Sequence, residues 1–157
     1  MADVEVKINS RRVNLMLEKM PPNVRAAVVD TVIKQGGTIA DLARSRAEQL
    51  LQVHTGKFVS RIRFRLRARG NRVTGRVYST HPAAAILEFG GTTKPHQIVP
   101  RKARALLIGN DHFAARVQHP GGHYQGRMII LGAFDQSKEA LAAALEAAVD
   151  NAVTQSE

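Results

Sequence analysis

Arginine alternates with apolar residues over nine consecutive positions of this chain, and no other feature constrains the local structure as strongly. Arginine occupies every second position, namely Arg61, Arg63, Arg65, Arg67 and Arg69. The positions between them hold Ile62, Phe64, Leu66 and Ala68. A period of two is typical of a β-strand that buries one face and exposes the other. Because like charges repel, we expect an anionic partner for the exposed row: acidic groups of the same fold, another subunit, or a polyanion such as nucleic acid.

Charge is distributed unevenly along the 157 residues, whose formal net charge is +10. From Lys57 to Arg76 there are eight basic residues and no acidic one, whereas the segment from Asp135 to the end holds five acidic residues and Lys138 as its single base. A strongly basic chain indicates acidic or nucleic-acid partners. We expect the two oppositely charged segments to attract each other, either within one chain or between neighbouring copies in a ring.

Apolar periodicity predicts a long helix from about residue 23 to 54. Asn23 is a candidate N-cap, and Gly36-Gly37 is expected to kink the helix. Thr38 with Asp41 resembles a capping box and indicates a second helix start. Before the long helix, residues 3 to 9 alternate like a short strand and residues 13 to 20 fit one or two helical turns. Pro21-Pro22 separates these segments from the long helix.

The centre of the chain predicts short strands and turns. The arginine strand, a turn at Gly70-Asn71 and a return strand from Arg72 to Ser79 form a predicted β-hairpin. A short helix from Ala83 to Phe89, closed by Gly90-Gly91, precedes strands near 105–108 and 113–118.

The final helix is predicted from about Phe134 to Val153 by its apolar face. The order of the elements predicts one α+β domain over residues 1–157, with a C-terminus that frays from about residue 154. In this fold the long N-terminal helix and the C-terminal helix pack on an antiparallel β-sheet of hairpins.

Cellular location is constrained by composition. With no cysteine, the chain has no disulfide framework, thiolate nucleophile or zinc–thiolate site, and a reducing compartment is the default. Its N-terminus opens with Asp3 and Glu5 and lacks the apolar run of a signal peptide, and no stretch approaches the ~20 apolar residues of a membrane span. We therefore expect a cytosolic protein without a membrane partner.

A metal site is weakly indicated. His119 and His123 have the spacing of two ligands on one helical face. Pro120-Gly121-Gly122 lies between them and excludes a helix there, so a solvated turn is the expected structure. We predict no metal site.

Catalysis is also weakly indicated. A hydrolase would pair Ser79 or Ser60 with His81 and Glu88, yet neither serine lies in a Gly-x-Ser-x-Gly elbow. Gly90-Gly91 lacks the lysine and hydroxyl that follow in a phosphate-binding loop. The chain is therefore expected to be non-enzymatic and to hold no cofactor.

A basic nucleic-acid-binding module is the main alternative from the residues themselves. The arginine row is able to neutralise phosphates with a steep salt dependence. Single-strand readers usually stack bases on aromatic rings, but Phe64 lies on the face opposite the arginines and only 4% of residues are aromatic. This favours non-specific contact with a phosphate backbone over base-specific recognition.

Five sequence elements follow one another across residues 55 to 134. They are Thr55-Gly56, a small-apolar-Glu-Phe-Gly element from Ala85 to Gly90, a Pro-His-x-Ile-x-Pro segment with a following lysine from Pro95 to Lys102, Arg104 to Leu106, and His119 to Gly121. In content and order they resemble the tailed-phage family of tail completion, or neck, proteins typified by the tenth gene product of phage HK97. The resemblance covers about half of the chain.

The resemblance implies a non-enzymatic virion protein at the head-proximal end of the tail. Such a protein forms a homo-oligomeric ring, joins the tail to the head, contacts phage tail tube and head-tail connector proteins, and resides in the host cytoplasm before assembly. A tail terminator that caps the tail tube is the alternative within this class.

The expected interface residues comprise the arginine row together with Glu88, Phe89, Gly90, Gly91, Lys94, Pro95 and His96. Glu88 is expected either to meet a basic strand of a neighbour or to be solvated at a helix end. The arginine row is expected either to line a lumen through which DNA passes or to lie in the seam between subunits. The Gly-Gly-Thr-Thr-Lys-Pro loop is expected to become ordered on docking.

Overall fold

The structure is a computed structural model that describes residues 21–51, 56–69, 72–101, 103–108 and 112–154. The strand predicted for residues 3 to 9, the helical turns predicted for 13 to 20, the turn at Gly70-Asn71 and Thr55 of the first family element lie outside these ranges. The predicted α+β class is confirmed: long helices stand at both ends of the described chain and antiparallel strand pairs lie between them.

Helix α1 spans Pro22–Leu50 without interruption. Asn23 is not its cap: Pro21 holds the N-cap position, and the Asn23 side-chain amide donates to the carbonyl of Ala152 at 2.9 Å. The predicted second start is also wrong, because the Thr38 hydroxyl donates to the Lys34 carbonyl one turn earlier, as it does inside a continuous helix.

Neither glycine of the Gly36-Gly37 pair interrupts α1, and Gly36 instead allows close packing. Gly36 is buried, and a Cβ placed on it would overlap the ring of Phe64. Its lack of a side chain lets the hairpin approach the helix backbone closely. A Cβ placed on Gly37 would have no other described atom within 4 Å beyond its own stretch of helix.

A short 3-10 turn, Val59–Arg61, leads into the predicted hairpin, which the structure confirms as β1 (Ile62–Arg69) and β2 (Arg72–Ser79). The strands are antiparallel, with Ile62 opposite Ser79 and Arg69 opposite Arg72. The Arg44 guanidinium on α1 donates to the Ile62 carbonyl at 2.9 Å and ties the start of the hairpin to the helix.

Helix α2 (Ala84–Phe89) is followed by six short strands that pair from the outside inward. The strands are β3 (Gly90–Thr93), β4 (His96–Ile98), β5 (Leu106–Ile108), β6 (His112–Ala114), β7 (Val117–His119) and β8 (Gly122–Gln125). β3 pairs with β8, β4 with β7, and β5 with β6, all antiparallel. The predicted strand at 113–118 is therefore two strands.

These nested pairs form successive sections of one long hairpin from Gly90 to Gln125, here called the β-arm. Near its base, β3 and β8 contact α2. All three residues of β4 are exposed, so both faces of the ribbon meet solvent there. The prediction of one sheet on which both long helices pack is wrong in this respect: in the described part of the chain the strands form separate two-stranded pairs.

Helix α3 spans Ile129–Thr154 and packs along α1. It begins five residues before the predicted start at Phe134. The core lies where α1, α3 and the inner face of the β1–β2 hairpin meet, and includes Ile39, Ala43, Ile62, Val77, Ile129, Ile130 and Leu141. No helix in the described ranges is long and apolar enough to cross a membrane.

Candidate subunit and partner interface

The arginine row lies where the alternation predicts. All five arginines are exposed, whereas on the opposite face Ile62 is buried in the core, Phe64 packs against it, and Leu66 is half-buried. Arg61 belongs to the turn before β1, and the other four project from the outer face of the strand. The prediction of a strand with one basic face is confirmed.

The hairpin register extends this surface onto β2. Arg65 lies directly opposite Arg76, and Arg69 lies opposite Arg72. We define the basic face as Arg63, Arg65, Arg67 and Arg69 of β1 with Arg72 and Arg76 of β2. Like charges directly across a strand pair repel.

Little within the described chain offsets this repulsion on β1. In the described ranges, none of the four β1 arginine side chains makes a hydrogen bond or an ion pair. On β2, the Arg76 guanidinium lies 5.0 Å from the centre of the Tyr78 ring, which is a favourable cation–π contact. Among the described residues, the β1 arginines of the basic face therefore have no anionic partner.

Glu88 is placed differently from both sequence expectations. The residue is 1% exposed, and its carboxylate accepts hydrogen bonds from the backbone N–H groups of Ile129, Ile130 and Leu131 at 2.9, 3.0 and 2.6 Å. The first N–H groups of a helix have no partner within it, and the helix dipole favours negative charge at that end. Glu88 therefore caps α3 inside its own chain, and the expectations that it is solvated or meets a neighbouring strand are wrong.

The backbone reinforces this junction between α2 and α3. The carbonyls of Leu87 and Glu88 accept the N–H groups of Arg127 and Met128 at 2.8 and 3.1 Å. Met128, with φ of 46°, occupies the position before α3 where a capping side chain normally stands. The missing local cap is supplied by Glu88.

Phe89, Gly90 and Gly91 join α2 to the β-arm. The Phe89 side chain is 64% exposed. Gly90 has φ of 75°, and a Cβ there would lie 2.6 Å from the Tyr124 carbonyl oxygen and from the Gly126 nitrogen. Only glycine fits this tight exit from the helix. The Gly-Gly-Thr-Thr segment, expected to be a loop, is strand β3, paired with β8.

Lys94, Pro95 and His96 are exposed at the point where β3 passes into β4. His96 lies opposite His119 in the register, and their rings stack with centres 4.9 Å apart. The Gly121 N–H donates to the His119 ring at 3.0 Å. Two elements of the family resemblance that lie about 20 residues apart thus meet across one strand pair.

The distal end of the β-arm exposes large apolar side chains. Leu107 and Phe113 lie opposite each other and are 60% and 73% exposed. Ile98, Val99 and Ile108 are also exposed. A two-stranded ribbon is marginally stable alone in water, and clustered exposed apolar residues mark interaction sites. Residue-by-residue analysis of the sequence overlooked this surface because a single strand assigned to 113–118 hides the pairing.

The side chains of the hydrolase hypothesis do not converge. The Ser79 hydroxyl accepts the His81 backbone N–H at 3.2 Å, and Nδ1 of the His81 ring accepts the Ala83 N–H at 3.2 Å. The Glu88 carboxylate is occupied at α3. His119 and His123 likewise stand on separate strands, and the described residues form no cluster of three or more metal-ligating side chains.

His81 nevertheless has a perturbed environment. Its ring packs edge-on against Phe58, with ring centres 5.5 Å apart. Burial lowers the pKa of His81 below its ordinary value of 6.5, and the nearby positive charge of Arg61 lowers it further. The neutral ring also suits the hydrogen bond that it accepts from Ala83.

The fold and its surfaces define an α+β protein with a basic sheet face and an exposed, partly apolar β-arm, a combination typical of interaction proteins. Comparison with known proteins returned no matching family model, no matching curated protein and no matching solved structure.

Proposed function

We propose that this chain is a non-enzymatic structural protein of a tailed-phage virion. It acts as a homo-oligomeric ring at the head-proximal end of the tail, between the tail tube and the head-tail connector proteins. The observation that carries the proposal is the clustering of the resembling sequence elements at two junctions. Ala85 to Gly90 builds the Glu88 cap, and Pro95-His96 meets His119 across the β-arm.

The exposed β-arm supports assembly with other chains. Its distal strand pairs expose Leu107 and Phe113 with little support from the core. Exposed strand edges and apolar side chains of this kind are sites at which proteins add partners. In the proposed role the β-arm extends from each subunit to a neighbouring subunit or to a connector or tail protein.

A role as tail terminator uses the same ring and the same β-arm, with the tail tube as the partner that is capped. A basic nucleic-acid-binding module is favoured by a separate observation, the six arginines that share one face of the β1–β2 hairpin. In a ring these two proposals are compatible if the basic face lines the lumen and contacts DNA phosphates without base specificity.

Particles of the phage that encodes this chain provide the test. Cryo-electron microscopy of the particles, with the protein carrying a small tag, is expected to show a closed ring at the head-tail junction. Native mass spectrometry of the purified protein with tail tube and connector proteins is expected to show the same number of subunits as the ring seen by cryo-electron microscopy. A strict monomer that associates with none of these partners contradicts the proposal, and density at the tube end alone selects the terminator role.

DNA titrations test the nucleic-acid alternative. Binding of the wild-type protein to a duplex is measured at about 50 and 200 mM salt, where phosphate contacts predict a steep loss of affinity. Arg65→Gln with Arg67→Gln is expected to reduce the salt slope by about 2 if both arginines contact phosphates. Arg101→Gln with Arg104→Gln on the β-arm is the matched control. Absence of binding at low salt removes this alternative.

A further inference from the structure

The basic face has a defined length and direction. Four of its arginines stand on one side of β1, from Arg63 to Arg69. At about 3.3 Å per residue, their Cα atoms span roughly 20 Å along the strand. They point away from the core, because the alternate side chains of Ile62 and Phe64 pack in or against it.

Helix α3 carries its acidic side chains on one face. It contains four acidic residues, all exposed: Asp135, Glu139, Glu146 and Asp150. At 100° per residue they fall within a sector of about 60°, and at 1.5 Å per residue they span roughly 22 Å. The buried residues of α3, such as Ala133 and Leu141, lie on the opposite side of the helix. We call these four residues the acidic stripe.

The basic face and the acidic stripe are unpaired with each other in the described chain. Asp135 forms an ion pair with Lys138 on the same helix at 3.7 Å, and within the described ranges no ion pair links α3 to β1. Each surface points outward from the shared core on a different element. The two surfaces agree in length to within a few ångströms and are opposite in charge.

We infer that the basic face of one copy receives the acidic stripe of α3 from the next copy. This inference rests on the oligomeric part of the proposed function and names the contact that builds the ring. Two different patches meet, so the contact is heterologous and propagates around a ring when the rotation closes. Apposed opposite charges set the register of the contact and offset the repulsion among the β1 arginines.

Complementary charge reversal tests the contact directly. One variant carries Arg65→Glu and Arg67→Glu, and the other carries Glu139→Lys and Glu146→Lys. Each variant alone places like charges against each other and is expected to weaken self-association by roughly tenfold or more. An equimolar mixture restores opposite charges at both contacts and is expected to form assemblies that contain equal numbers of the two variants. Native mass spectrometry with a mass tag on one variant measures this composition.

Matched controls separate the surface from net charge and from folding. Lys34→Glu with Lys57→Glu changes the charge by the same amount outside the β-arm and outside both charged surfaces, and Asp30→Lys with Glu48→Lys does so on the exposed side of α1. Both controls are expected to assemble like the wild type. Thermal unfolding of every variant confirms that the chain remains folded.

The outcomes distinguish this inference from the proposed function. If the wild type assembles and both variants assemble equally well, the contact is overturned and the ring stands. If neither variant self-associates alone and an equimolar mixture does not assemble either, the contact is also overturned. A wild type that does not self-associate at low salt overturns the contact and the ring together. If Arg65→Glu with Arg67→Glu abolishes DNA binding and leaves assembly intact, the basic face faces DNA instead.

Discussion

The carboxylate of Glu88 caps the helix that begins at Ile129, 41 residues later in the chain. This contact places a buried charge against three otherwise unpaired N–H groups. Charge-assisted hydrogen bonds of this kind are stronger than neutral ones. It joins the short helix at the base of the β-arm to one of the two long helices, so the orientation of the β-arm depends on Glu88.

Replacing Glu88 is expected to destabilise the fold severely. Glu88→Ala leaves buried N–H groups without partners and is expected to lower the free energy of unfolding by about 3 kcal/mol or more. Glu88→Gln keeps an acceptor but loses the charge at the helix end, so a smaller loss is expected. Urea unfolding followed by circular dichroism measures both. Glu48→Ala, at an exposed position on α1, is the control and is expected to stay within about 0.5 kcal/mol of the wild type. If Glu88→Ala and Glu48→Ala lower the free energy of unfolding equally, Glu88 does not act as the cap of α3.

The two adjacent glycines of α1 are expected to respond oppositely to alanine. Gly37→Ala gains helix propensity in open space and is expected to stabilise the fold by up to about 1 kcal/mol. Gly36→Ala forces a methyl group into the Phe64 ring. We expect it to destabilise the fold by about 1–3 kcal/mol, although it brings the same gain in helix propensity. Thermal melts of the pair measure the difference. If Phe64→Leu does not lessen the effect of Gly36→Ala, the ring is not the cause.

Stability is expected to depend on pH through His81. Its pKa in the fold lies below the ordinary 6.5, because burial and Arg61 disfavour the charged ring. The unfolded chain therefore binds the proton more readily, so this contribution is fully present above about pH 6.5 and is lost as pH falls through the folded-state pKa. NMR titration of the ring measures the pKa directly. Arg61→Gln is expected to raise it, and His81→Asn is expected to remove this part of the pH dependence while retaining an acceptor for the Ala83 N–H. A ring that titrates above 6.5 contradicts this account.

The tip of the β-arm is expected to serve association and not the stability of the subunit. Leu107→Ser with Phe113→Ser removes the two most exposed apolar side chains of the tip. Because both are already in water, the melting temperature of the subunit is expected to change little. Binding to a second copy or to tail and connector proteins is expected to fall, as measured by analytical ultracentrifugation. Ile33→Ser, at an exposed apolar position on α1, is the control. Unchanged binding in the double variant contradicts the role of the tip.

The local elements follow from the sequence to different extents. The long first helix and the β1–β2 hairpin were predictable, because a period of 3.6 or 2 is carried by consecutive residues. The start of α3 was placed five residues too late, since its cap comes from a distant segment. The strands of the β-arm are three or four residues long, too short for alternation to define them without knowledge of their partners.

Some residues of the candidate interface could likewise be predicted from the sequence, and others could not. The β1 arginines were found from spacing alone, and the register of β1 with β2 adds Arg72 and Arg76 to the same face. The stacking of His96 on His119 required the pairing of segments that are distant in sequence. The exposure of Leu107 and Phe113 required the knowledge that their strand pair lies away from the core. Resemblance to a family indicated which segments matter, but not which of their side chains face solvent.

The amino-acid pattern alone is sufficient to give β1 one arginine face and to place the acids of α3 on one side of a helix, because both patterns depend only on the repeat of the local backbone. Tertiary structure alone decided that Glu88 is buried at the start of α3 and unavailable to any other molecule. It also decided that the segment from Gly90 to Gln125 folds back on itself as a β-arm. These contacts join residues tens of positions apart, and they form only when the packing of the core and the path of the chain bring the segments together.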